Sequence, residues 1–223
     1  MAISGARAVR PLRVKASPDG DAVRKRILDA AQELFAAHGY SGTTTREIAE
    51  RAGIGKRMLF YYFATKDAMY RAVLERVVSG LVAIHQRVQL DPGPIGLAEA
   101  VEGIVHFAAL NRAAITLCLR EIMDDGPHLA DLVRVHLRPL FAAGSQEVAR
   151  NMQAGVFREA DPMHVLLNVG GLTLFYFLNV PLLKLVWDRD PLSPQTVAER
   201  AAVVRDFMLD GLAGPAARKG EPS

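Results

Sequence analysis

With 223 residues, half of them hydrophobic and 23% charged, the chain has enough apolar material for one large domain, or for a small module joined to a larger one. Its single cysteine, Cys118, excludes an intrachain disulfide and fits a reducing cytoplasm; no apolar run follows Arg7, Arg10, Arg13 and Lys15 to make a signal peptide. The formal net charge of +3 is unevenly spread: twelve Lys and Arg face six Asp and Glu from Met1 to Lys66, whereas fifteen face eighteen from Asp67 onward. A basic front on a mildly acidic body suits a protein whose one end meets phosphate, although scatter alone also produces surpluses of this size.

Residues 1–20 lack periodicity and hold Pro11, Pro18 and four basic residues, which predicts a disordered basic arm, either laid in a minor groove or left in solvent. Ile27, Leu28, Ala31, Leu34 and Phe35 then recur at three- and four-residue spacing, with Arg24, Lys25, Asp29, Gln32 and Glu33 outside them. This is the pattern of an amphipathic helix, stopped by Gly39.

Residues 44–63 carry the strongest signal. Thr44 and Glu47 have the spacing of a capping box, which starts a helix sharply. Ile48 and Ala49 face inward, and the small Ala49 lets a second helix cross close by. Gly53 stands where a tight turn needs a left-handed backbone, and Ile54 tucks beneath it. A second helix follows, with Leu59 and either Tyr62 or Phe63 on its core side and Lys56, Arg57, Phe60 and Tyr61 outside. Two short helices joined in this way make a helix-turn-helix, whose second helix fits the major groove. Gly55 lets the backbone approach DNA, Lys56 suits phosphate or guanine, Arg57 suits guanine O6 and N7, and Met58 suits a thymine methyl. The hydroxyls of Thr44, Thr45, Tyr61 and Tyr62 suit phosphate oxygens, which fix register without reading sequence. Arg46 and Phe60 complete the expected DNA-facing set together with Lys66, which opens the next helix behind a Thr65 cap.

In order and spacing, residues 24–70 resemble the amino-terminal domain of the TetR family of bacterial regulators. The resemblance runs from Phe35 through Gly39-Tyr40, then Thr43-Thr44, Ile48-Ala49 and Ala52-Gly53, to Lys56, Leu59-Phe60, Phe63 and Lys66-Asp67. The chain departs from the family pattern at Gly55, Arg57 and Met58, where Ser, Gly and Thr are usual; these positions bear on which operator is bound. The resemblance implies an all-α protein, with a three-helix head over 21–66 and a helical regulatory and dimerisation body over 67–213. It also implies a small-molecule effector, a homodimer and an inverted-repeat operator on double-stranded DNA.

Along the body, Met69, Val73, Val77, Leu81, Ile84 and Val88 stripe a helix over about 66–90, ended by Asp91-Pro92-Gly93-Pro94. Helices are expected near 97–111 and 113–123, with Asp124-Asp125 as a cap. Another is expected from Gly126-Pro127 to about 154, bent at Pro139. Asp161-Pro162 and Ser193-Pro194 open helices near 162–186 and 194–212. Val165 to Leu183 carries no formal charge and reaches the length of a membrane span, but Asn168, Gly170, Gly171, Asn179 and Pro181 interrupt it. A mostly buried helix, paired across a two-fold axis with the final helix and its stripe Val197, Ala201, Val204, Met208 and Leu212, fits better. Gly170-Gly171 permit close helix approach there, or a simple kink. Residues 214–223 are expected to form a flexible tail.

The effector site is expected to be apolar, with Phe107, Leu110, Leu117, Phe141 and Phe175 around it and Arg120 or Glu121 as its polar element. The six histidines include no pair at i, i+3 or i+4, and Cys118 has no close partner, so neither a metal nor another cofactor is expected. No phosphate loop, dinucleotide fingerprint or nucleophile elbow occurs, so nothing points to an enzyme. The expected protein is a cytoplasmic regulator of transcription, a repressor released by a hydrophobic ligand. A membrane-tethered regulator and a small-molecule-binding protein with a vestigial DNA-binding head are the alternatives.

Overall fold

The computed structural model describes residues 18–88, 93–123, 126 and 128–214. Of the basic arm expected over 1–20, residues 1–17 lie outside the described residues and 18–20 instead form the first turn of α1; the tail after Gly214, residues 89–92, Asp124-Asp125 and Pro127 also lie outside the described residues. The described chain is helical throughout: α1 (Pro18–Gly42), α2 (Thr45–Arg51), α3 (Lys56–Tyr62), α4 (Lys66–Val88), α5 (Pro94–Leu110), α6 (Arg112–Met123), α7 (Leu129–Leu132), a π-helical turn (Val133–Leu137), α8 (Arg138–Gln153), α9 (Pro162–Leu178), α10 (Val180–Val186) and α11 (Pro194–Leu212). Among the described residues no strand forms. A single antiparallel bridge, Phe157 to Ala213, ties the end of α11 to the loop after α8.

The amphipathic stripe of α1 is buried as its spacing requires, with Ile27, Ala31 and Phe35 fully enclosed. Its regular part stops at Gly39, and a further turn runs on to Gly42. Thr43 is buried, and its hydroxyl donates to Leu34 O and Gly39 O at 3.0 and 2.9 Å, so the last carbonyls of α1 are satisfied away from water. One core joins α1 to Ile48, Ala49, Leu59 and Phe63 of the next segments and to Met69, Tyr70, Val73 and Leu74 of α4. The same core takes in Leu117 of α6 and Leu132 of α7, so the head rests on the body. Two further cores hold the body, one around Val105, Ile115 and Phe177, the other around Val101, Val165, Val204 and Met208.

Three boundaries differ from the sequence expectation. α5 begins at Pro94, because Pro is suited to the first helical position and its missing N–H would have no partner there. The helix expected over 126–154 is divided: Arg138 N–H donates to Val133 O across one extra residue, and this wide turn delivers the chain to Pro139 at the start of α8. The helix expected over 162–186 breaks at Asn179, ahead of Pro181, and α10 leaves α9 at 64°. Among the described residues no single helix is long and apolar enough to cross a membrane; only bent pairs such as α9 with α10 reach that length. The caps at Asp161 and Ser193 form as expected, accepting from Met163 N at 2.7 Å and Thr196 N at 3.2 Å.

Candidate nucleic-acid interface and internal cavity

The turn between α2 and α3 is built locally. Thr44 N–H donates to Glu47 Oε2 at 2.7 Å, and Glu47 N–H donates back to the Thr44 hydroxyl at 3.2 Å, closing the capping box. The hydroxyl and amide of Thr44 hold the Glu47 carboxyl below the usual carboxylate range. Gly53 takes φ 67°, which lets Ile54 N–H return to Ala49 O at 3.0 Å and reverses the chain within three residues. Gly55 caps α3 in extended conformation and Leu59 is fully buried beneath it, so the opposite side of α3 faces outward.

That outward side carries Lys56, Arg57, Met58, Phe60 and Tyr61, all exposed. A Cβ added at Gly55 would meet nothing within 4 Å, so packing within the chain does not demand a glycine there. Lys56 Nζ lies 5.9 Å from the centre of the Phe60 ring, and Lys66 Nζ 4.3 Å from that of Tyr40. Among the described residues Lys56, Arg57 and Lys66 form no ion pair, which leaves their charge available to phosphate or a base edge. Arg46 differs: it is exposed on α2 but pairs with Glu50 at 2.7 Å. Thr44 is exposed with its hydroxyl engaged in the capping box, Thr45 is half-buried, and Tyr62 is half-buried against the head core, edge-on to Tyr61. The expected DNA-facing residues therefore fall on α2 and its cap, α3 and its cap, and the first residue of α4, with α3 carrying most of the exposed ones. Tyr40, under Lys66, stands in the family motif but was not among the expected DNA-facing residues; its place beside Lys66 follows only from the packing of α1 on α4.

Inside the body a cavity of about 210 Å³ lies between α4, α5, α8 and α9. Leu81 and Ile84 of α4, Leu97 and Ile104 of α5, Phe141 of α8 and Leu166 of α9 are among its apolar walls. His85, Glu147 and Asn151 are its polar lining. Burial pushes the His85 imidazole below its ordinary range, against the pull of Glu147.

Of the seven residues expected at an effector site, this cavity is lined by Phe141 alone. Leu110 and Phe175 point outward, at 86% and 63% exposure, and Arg120 is exposed. Leu117 is enclosed in the head core, and half-buried Phe107 packs on the core around Val105 and against Gly80. Glu121 is buried at the junction of head and body. The missed polar residues share one weak signal: His85 borders the stripe of α4, and Glu147 and Asn151 stand four apart beside Gly144 and Val148 of α8. Among the described residues no group of three or more His, Cys, Asp or Glu is placed to hold a metal.

A third surface runs along α9 to α11. Leu167 and Phe175 of α9, Leu182 and Leu185 of α10, and Val203 and Phe207 of α11 stand exposed at 54–85%. These large apolar side chains lie within the segments expected to pair two subunits, but on a different face of the final helix: its stripe Val197, Ala201, Val204, Met208 and Leu212, expected at the subunit contact, is buried in the chain's own body cores, because α11 packs that face on α5.

Comparison with known proteins agrees with this division. Residues 27–73 match the family model described as bacterial regulatory proteins, tetR family, and residues 95–208 match a tetracyclin repressor-like C-terminal domain. The HTH-type transcriptional regulator RutR of Escherichia coli (strain K12) is 30% identical over 156 residues, covering 70% of this chain and 74% of RutR. The HTH-type transcriptional repressor NicS of Pseudomonas putida is 26% identical over 204 residues, covering 86% and 93% of the two chains. The solved structure of the ketosteroid transcriptional regulator KstR2 of Mycobacterium tuberculosis shares the fold, with a TM-score of 0.68 at 20% identity over 85% of this chain and 94% of KstR2. With a helix-turn-helix head, a helical body and both matched by family models, the chain belongs to the TetR family of DNA-binding transcriptional regulators.

Proposed function

We propose that this protein is a homodimeric repressor, working on DNA in the cytoplasm, whose grip on an inverted-repeat operator is loosened by a small apolar effector in the cavity between α4, α5, α8 and α9. The observation that carries this reading is α4 itself. Its first residue, Lys66, is one of the residues expected to face DNA, and Leu81, Ile84, His85 and Val88 near its other end line the cavity. One helix of 23 residues, about 34 Å long at 1.5 Å per residue, joins the two sites without a break.

The chemistry follows from that continuity. Effector binding that favours a different tilt of α4 moves α3, and with it the spacing of two heads across the dimer axis. The shift is only as large as the effector's preference for one arrangement over the other. Pairing through the exposed faces of α9 and α11 gives two reading helices for two half-sites. The repressor sense is supported by NicS, a relative named as a repressor. The test is transcription in the source organism with the gene deleted: transcripts adjoining the bound DNA fragments are expected to rise. If they fall, the protein is an activator and the repressor reading fails.

A further inference from the structure

We infer that the cavity is built for an apolar ligand whose polar group donates hydrogen bonds and bears no negative charge, and that it rejects carboxylates. This rests on the reading of the cavity as the effector site and goes beyond it by naming the ligand's chemistry.

Among the described residues the lining contains no Lys or Arg. Its one carboxylate among them is that of Glu147, whose side chain is 20% exposed. Asn151 Nδ2 donates to Glu147 Oε1 at 2.9 Å, and Arg150, itself 63% exposed and outside the lining, pairs with Oε2. Arg150 and Asn151 thus engage one oxygen each, which leaves the Glu147 carboxylate further lone pairs to accept with. Burial disfavours the charged form of His85, against the pull of Glu147.

An alcohol, amide or amine head placed here meets acceptors. A carboxylate head meets another carboxylate whose own partner, Arg150, is already engaged, and among the described lining residues no further Lys or Arg offsets the loss of its water. Space for the tail is set at Gly170: it lies between Leu166 and Leu174, one helical turn from each on the same face of α9. A Cβ added there would meet nothing within 4 Å, so Gly170→Leu starts its side chain in open space and takes up cavity volume.

The experiment is calorimetric titration of the full chain with three probes of one tail length, 1-octanol, octylamine and octanoate, near neutral pH. The alcohol and the amine are expected to bind, and octanoate to bind about tenfold more weakly or worse. Glu147→Gln, which keeps an acceptor for Asn151, is expected to weaken octylamine and to strengthen octanoate. Gly170→Leu is expected to abolish binding of all three.

Octanoate binding as tightly as octanol, with Gly170→Leu still abolishing both, overturns the assigned polarity and leaves the cavity as the site. Binding indifferent to Gly170→Leu, or no binding by any probe, overturns the reading of the cavity itself.

Discussion

Tyr70, in the second turn of α4, donates its hydroxyl to Glu121 Oε1 of α6 at 2.8 Å, and so ties the helix that leaves the DNA-binding head to the body. The tie is part of a larger network. His128 Nδ1 lies 3.6 Å from the same Glu121 oxygen, His128 Nε2 lies 2.5 Å from Asp67 Oδ1, and Arg71 bonds both Asp67 and Asp131. Three residues at the start of α4 thereby meet α6, α7 and the segment between them. Any movement of α4 that passes from cavity to head must strain or reset these bonds.

Tyr70→Phe removes one donor from a buried carboxylate while keeping the ring against Phe35 and His128. The expected cost is about 1–3 kcal/mol of folding stability, measured by urea unfolding. A change within a few tenths would mean that the hydroxyl contributes little to holding α4 on α6.

Asp67 gives the same junction a pH signature. The hydrogen bond from His128 is the largest influence holding its carboxyl below the usual range, with Arg71 adding to it against desolvation. A folded-state pKa that is depressed contributes stability above the unfolded value, and that contribution is lost as pH falls through the folded one. The Tm difference between the native chain and Asp67→Asn should therefore be largest near neutrality and shrink below about pH 4. A constant difference across that range would show that the charge at Asp67 is not what stabilises the junction.

Phe175 and Phe207 are expected to lie between two subunits. Replacing both with Asp places charges on exposed apolar faces and leaves the three cores untouched. Sedimentation should show a folded monomer, with operator affinity reduced about a hundredfold or more as the second head is lost. A persistent dimer would move the interface elsewhere.

Burial pushes the Cys118 thiol up to about 12, so its thiolate is scarce at neutral pH. Aromatic disulfide reagents should react slowly with the folded chain at pH 8 and stoichiometrically once it is unfolded. Fast reaction in the native state would show that α6 opens easily.

The head was legible because its signals are local. The Thr44–Glu47 box, the Gly53 turn and the buried positions Ile48, Ala49 and Leu59 all act within a few residues of one another. The cavity was not, because a helix face that lines a void and one that fills a core carry the same apolar pattern. Leu117 and Phe141 are equivalent by spacing, yet one is sealed in the head core and the other faces the cavity. The break at Asn179 was hidden for a related reason. Asn179 and Pro181 interrupt the uncharged run, but they do not say whether it bends or ends, and the turn into α10 depends on where Tyr176 and Phe177 pack and on the Tyr176 hydroxyl reaching Pro191 O at 2.9 Å.

The most direct measurement is fluorescence anisotropy of the full chain with DNA fragments recovered from its own genome, across a salt series, with Lys56→Ala and Arg57→Ala beside the native protein. Native affinity should fall steeply with salt. Lys56→Ala should weaken every sequence and lower the salt slope by about one, and Arg57→Ala should cost about 1–3 kcal/mol and relax preference at one base position per half-site. Binding left unchanged by both substitutions would contradict the assignment of α3 as the reading helix.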